Sequence, residues 1–194
     1  MKKLFFTLLI SIGLFFVSNA QLGVRAGLNL ASFTTKAGGL SINSDSKIGF
    51  HFGVTNDIKL TDMLTFRPGL LYSAKGGKFS IDILGQTETV EASYSYLDIP
   101  LSFIYNFTKE ESGFFAEAGP YVGFLLSAKS EDEDIKEDFN SLDFGLNIGL
   151  GYDLGNIVIG ANYGLGLANI AKTEDGDDVT ATNKNISAYA IYQF

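Results

Sequence analysis

The sequence predicts an all-β protein, an eight-stranded antiparallel up-and-down transmembrane β-barrel. Three observations carry that reading. Apolar and polar residues alternate with period two along most of the chain, the mark of strands with one greasy and one wetter face. The alternating runs are long: Tyr94–Phe107 reads Y-S-Y-L-D-I-P-L-S-F-I-Y-N-F, about twice the roughly 5–6 residues of an ordinary soluble strand. Short and long connections also alternate, as in barrels with turns at one rim and loops at the other. Only a closed sheet can cross lipid, because an open edge leaves backbone groups unpaired.

The first twenty residues read as a targeting segment. Lys2 and Lys3 are followed by the apolar run Leu4–Val17, and Ser18-Asn19-Ala20 offers small residues for cleavage. Domain organisation is therefore a cleaved signal peptide over 1–20 and a barrel domain over 21–194. Without Lys2 and Lys3 the chain has 12 basic against 22 acidic residues, a net charge of −10, which argues against nucleic-acid binding. The absence of cysteine removes disulfides from an exported chain and any lipid anchor through a thiol. No later apolar run reaches the roughly 18 residues of a spanning helix.

Eight segments follow in order. Gln21–Phe33 sets Leu22, Val24, Ala26, Leu28 and Leu30 against Gly23, Arg25, Gly27, Asn29 and Ala31. Lys47–Leu60 sets Ile48, Phe50, Phe52, Val54, Ile58 and Leu60 against a face with His51, Thr55 and Asp57. Leu64–Lys75 sets Leu64, Phe66, Leu70 and Tyr72 against Thr65, Arg67, Gly69 and Ser73. Tyr94–Phe107 sets Leu97, Ile99, Leu101, Phe103 and Tyr105 against Asp98, Pro100, Ser102 and Asn106. Gly113–Ser127 opposes Phe114, Ala116, Ala118, Val122 and Phe124 to Glu117, Gly119, Tyr121 and Gly123. Ser141–Leu154, Ile157–Ala168 and Asn185–Phe194 continue the pattern, with Asp143, Asn147, Asp153, Asn162 and Tyr189 among the wetter positions. The short links are 61–63, 108–112 and 155–156; the long polar ones are 34–46, 76–89, 128–140 and 169–184. Both termini and the short turns are expected in the periplasm, with the long loops outside.

A lipocalin-like barrel would turn its apolar face inward, yet here the other face holds Arg, Glu, Asp and Asn. A β-sandwich would bury the greasy face but favours shorter strands and less regular loops. The membrane barrel accommodates both faces, one on lipid and one in the lumen.

Four motifs add a resemblance. Tyr96-Leu97-Asp98-Ile99-Pro100-Leu101 and Glu117-Ala118-Gly119-Pro120-Tyr121-Val122-Gly123, with Gly23–Asn29 and Phe66–Leu70 before them, resemble the outer membrane β-barrel domain family that includes PorT. The resemblance covers the whole mature chain and implies an eight-stranded outer-membrane barrel, mostly without assigned activity. The namesake's link to secretion has no specific residue here.

Candidate chemistry is sparse. His51 is the only histidine, so neither a multi-His metal site nor an imidazole relay can form; beside Phe50 and Phe52 it reads as a lumen filler. Gly149-Leu-Gly151 and Gly160-x-x-x-Gly164 lack the strand–helix context of a nucleotide loop and read as inward positions that relieve crowding. Glu131, Asp132, Glu133, Asp134, Glu137 and Asp138 make one external loop acidic, and Glu174, Asp175, Asp177 and Asp178 another; solvated loops are the plainer reading, divalent-cation binding the sharper one. Arg25, Arg67 and Glu117, joined by Asp57 or Asp153, are expected to form a charged plug low in the lumen. Phe194 ends the chain on the lipid face, and the resemblance to bacterial outer-membrane barrels implies that the barrel-assembly machinery reads it.

The expected role is thus a small non-enzymatic outer-membrane barrel with a side-chain-filled lumen, structural or interacting through its acidic loops. No cofactor or metal is expected; the lipid bilayer and the assembly machinery are the expected partners, beside an unidentified external or periplasmic protein. A narrow channel or transport barrel, a secretion-associated barrel and a lipid-modifying enzyme are the alternatives.

Overall fold

The computed structural model describes residues 20–83, 86–109, 112–130, 133–172 and 179–194. The predicted signal peptide lies outside them, apart from Ala20. Ten strands appear: β1 (Ala20–Ala37), β2 (Leu40–Asn43), β3 (Asp45–Lys59), β4 (Leu64–Ile83), β5 (Gln86–Asn106), β6 (Gly113–Ser130), β7 (Glu133–Asp134), β8 (Leu142–Asp153), β9 (Ile157–Gly166) and β10 (Val179–Gln193). All pair antiparallel, in the ring order β10-β9-β8-β6-β5-β4-β3-β1, and β1 closes on β10 from Gly23↔Gln193 to Ala37↔Val179. Eight strands therefore form the wall. β2 folds back on the end of β1, and β7 on the end of β6.

Period two decides which way each wall residue points. Leu28 is 63% exposed, as is Leu150, whereas Arg67 and Glu117 are each 2% exposed. The greasy face is the outer surface and the charged face is the interior, the reverse of a soluble protein. β9, the shortest wall strand at ten residues, is about 33 Å long; tilted in a barrel, it covers an apolar band about 25 Å tall. Aromatic pairs mark the short-turn rim: Phe66–Phe103 at 5.1 Å, Tyr105–Phe107 at 5.9 Å, Phe114–Tyr152 at 4.7 Å and Tyr192–Phe194 at 5.2 Å between ring centres.

The turns follow local chemistry. Asp153 accepts the N–H of Gly155 at 2.8 Å, and Gly155 has φ +95°, which a residue with a Cβ disfavours. Thr61 Oγ1 accepts the N–H of Leu64 at 3.0 Å across the first short turn.

The upper boundaries differ from the sequence expectation. The predicted loop 76–89 is largely strand, because β4 and β5 continue as a paired hairpin from Gly76↔Ser93 to Ile83↔Gln86. β1 and β10 likewise run on to Ala37 and Val179. The Gly76-Gly77 pair interrupts the run and reads as a loop, yet Lys78-Phe79-Ser80-Ile81-Asp82-Ile83 resumes the alternation and the backbone pairing persists through it. At the root of this hairpin Glu91 accepts from Lys78 at 2.5 Å and Lys47 at 3.0 Å, and the two ammoniums hold its carboxyl below the usual carboxylate range.

Candidate functional site

The lumen is built in layers that follow one another upward from the short-turn end. An open vestibule of about 890 Å³ lies among the short turns, walled by Lys59, Asn106 and Asp153 and floored by Asp57, Arg67 and Gln193. At the floor Arg67 donates twice to Asp57, Nε to Oδ1 and Nη2 to Oδ2, both at 2.5 Å, and Gln193 Nε2 donates to Asp57 Oδ2 at 2.8 Å. A fork of this kind fixes both groups in orientation. Beside it, Ile104, Phe115, Val158, Tyr189 and Ile191 form an apolar layer inside the barrel.

Above that layer Tyr189 has two partners. Its hydroxyl donates to Glu117 Oε2 at 2.9 Å, and the Arg25 guanidinium lies 3.6 Å over its ring. Asn162 Nδ2 donates to Glu117 Oε1 at 2.6 Å. Arg25 Nε donates to His51 Nε2 at 3.2 Å, and His51 Nδ1 faces Asn29 Oδ1 at 2.9 Å. An acceptor at Nε2 makes His51 a neutral ring with its proton on Nδ1. Glycines leave room for these side chains: a Cβ at Gly160 would sit 2.5 Å from the Tyr189 ring, and one at Gly27 would sit 2.6 Å from the His51 ring.

A cavity of about 40 Å³ separates this layer from an upper one. There Lys75 pairs with Asp98 at 2.8 Å and stands 5.0 Å and 5.1 Å from the ring centres of Tyr96 and Tyr121. Tyr121 and Asn183 donate to Asp143 Oδ2 at 3.1 and 2.9 Å. The top is sealed by Phe33, Tyr94, Tyr96 and Leu125, against which Ile135 and Phe139 pack from the β6–β8 loop. Phe139 bridges to Ala171, and Asn140 Nδ2 donates to the carbonyls of Asn169 and Ala171 at 2.9 and 3.0 Å.

The expected lumen charges are therefore all internal but do not form one cluster. Arg67 meets Asp57, Arg25 reaches Glu117 only through Tyr189, and Asp153 is half-buried in the vestibule, without an ion pair among the described residues. Phe194 is 70% exposed, with its N–H donated to the Leu22 carbonyl at 3.0 Å. Glu133, Asp134, Glu137 and Asp138 are exposed; Glu131, Asp132, Glu174, Asp175, Asp177 and Asp178 lie outside the described residues. Among the described residues no group of three or more His, Cys, Asp or Glu could hold a metal ion.

Sequence reading missed Lys75, the pairing of Asp98 with it, and the apolar inner layer. Lys75 stood at a predicted strand end, and Ile104, Phe115 and Ile191 sit between greasy neighbours, where alternation gives no warning.

Residues 12–172 match the model of the outer membrane protein beta-barrel domain, and the chain belongs to that family. It is an outer-membrane β-barrel protein. No curated protein matches it in sequence. Among solved structures it is similar to Neisserial surface protein A, at 18% identity over 90% of this chain and 99% of that one, TM-score 0.53. It is also similar to Ail, the attachment invasion locus protein of Yersinia pestis, at 14% identity over 91% and 99%, TM-score 0.46. A third is the outer membrane enzyme PagL, at 16% identity over 84% and 98%, TM-score 0.49. At 18% identity the likeness to the neisserial protein is one of fold.

Proposed function

We propose that the chain is a non-enzymatic, eight-stranded transmembrane barrel with a closed lumen, acting as a structural or interaction module through its long-loop end. The observation that carries this reading is the blocked interior: two charged layers, an apolar layer and a lid of Phe33, Tyr94 and Phe139 stand in series. Eight strands leave an interior just wide enough for side chains, so a channel has little room. His51 supports the non-enzymatic reading, since both ring nitrogens face Arg25 and Asn29 inside the lumen.

In this account both termini and the short turns face the periplasm, and residues 1–20 are removed on export. The extended β4–β5 hairpin and the acidic β6–β8 loop then face outward, toward an external partner. The kinship with PorT-like barrels rests on the four sequence motifs and brings no secretion role with it. Purified protein in planar bilayers is expected to pass no steady ionic current; stepwise conductance would support a channel instead. Surface labelling of the loops in intact cells, with N-terminal sequencing at Gln21, tests the orientation and the cleavage.

A further inference from the structure

The charges buried in the lumen do not balance. Among the described residues three cationic side chains are buried there, Arg25, Arg67 and Lys75, against four carboxylates, Asp57, Asp98, Glu117 and Asp143. His51 does not supply the missing charge, because its Nε2 accepts a hydrogen bond from Arg25. Asp57 has Arg67 and Asp98 has Lys75, while Glu117 faces Arg25 across Tyr189. Asp143 is left. It is 0% exposed, and its two hydrogen bonds, from Tyr121 and Asn183, both fall on Oδ2. Its Oδ1 is buried without a partner, and so is Oδ1 of Asp98. An isolated buried carboxylate is far more costly than a missing hydrogen bond, and proteins neutralise it.

The register sets the two carboxylates on strands that flank one glycine. Asp98, Gly123 and Asp143 lie side by side on β5, β6 and β8. A Cβ on Gly123 would sit 2.6 Å from Asp98 Oδ1 and 3.7 Å from the Asp143 Cβ. Asp98 Oδ1 thus leans over a strand position that has no side chain, with Asp143 on the strand beyond it. The lower layer has the same arrangement in Glu117, Gly149 and Asn162, and there a 2.6 Å hydrogen bond closes the gap. In the upper layer Asp98 Oδ1 and Asp143 Oδ1 are each left without a donor.

We propose that Asp98 and Asp143 together hold one monovalent cation over Gly123, a proton or an alkali-metal ion, which neutralises the upper lumen. The groups facing it are Lys75 from β4, Tyr96 from β5, Tyr121 from β6 and Asn183 from β10. A single positive charge balances the count.

The test is the thermal unfolding midpoint of the purified barrel in detergent, in sodium chloride against choline chloride of equal ionic strength, and across pH. A bound alkali ion raises the midpoint by about 3–5 °C per tenfold rise in sodium above saturation. A bound proton leaves sodium and choline alike but lowers the midpoint as pH rises, because only the folded state holds that proton. Either dependence should vanish in Asp143→Asn. Should that variant fail to fold, Asp98→Asn, which leaves three buried carboxylates against three cations, is expected to lose the same dependence. A wild-type midpoint indifferent to both sodium and pH overturns the proposal. So does a dependence that survives unchanged in the variants.

Discussion

Asp57 and Arg67 face each other because a short turn puts them there. Lys59↔Thr65 and Ile58↔Phe66 pair below them, and continuing that register sets Asp57 opposite Arg67. Replacing Asp57 by Asn leaves a buried guanidinium without its partner, and a loss of about 3–5 kcal/mol is expected from denaturant unfolding in detergent. Tyr189→Phe removes one neutral donor from Glu117 and should cost less, about 1–3 kcal/mol. Equal losses from the two variants would contradict this ranking. At this scale part of the site was legible in the sequence. Period two turned Arg25, Asp57, Arg67, Glu117, Asp98 and Asp143 inward, and Asp57 was one of two expected partners for the basic residues rather than the specific mate of Arg67. What it could not give is the meeting of Glu117 with Asn162 or of Arg25 with Tyr189, which depends on the stagger of strands distant in sequence.

At the scale of elements, the strands were legible where the alternation ran unbroken and were cut short where a glycine pair interrupted it. β4 and β5 continue as a paired hairpin; Gly76-Gly77 read as a loop although Phe79, Ile81 and Ile83 alternate with Lys78, Ser80 and Asp82 beyond it. The β6–β8 loop hides a second element. Its acidic run carries Ile135 and Phe139, which pack on the upper apolar cluster, with Phe139 5.0 Å from the Tyr94 ring. The two apolar residues four apart were the available signal, masked by the charges around them. The terminal element gives a prediction with two separable arms. Phe194 stacks edge-on against Tyr192 at 85°, so deleting it removes at most one rim ring, about 1.5–3 kcal/mol of apolar burial. If the assembly machinery reads this residue, yield in the outer membrane collapses while refolding into detergent stays nearly intact. A parallel fall in both would make it a structural ring alone.

At the scale of the whole molecule, the barrel is inverted: leucines, isoleucines and phenylalanines lie outside and ion pairs within. A closed ring of eight antiparallel strands has no edge to unzip, so the barrel is expected to stay folded in cold detergent and to change gel mobility only after boiling. Identical mobility with and without boiling would count against it. The most direct measurement of the inversion uses the chain's lack of cysteine. Single cysteines placed from Leu97 to Asn106 along β5, spin-labelled in lipid vesicles, report contact with lipid-soluble oxygen and with a water-soluble relaxing agent. Oxygen contact should peak at Leu97, Ile99, Leu101, Phe103 and Tyr105 and fall at Asp98, Pro100, Ser102 and Ile104, with the water-soluble agent excluded from the first set. A flat profile, or free access of the water-soluble agent to the odd-numbered positions, would contradict a barrel that faces lipid with its greasy side.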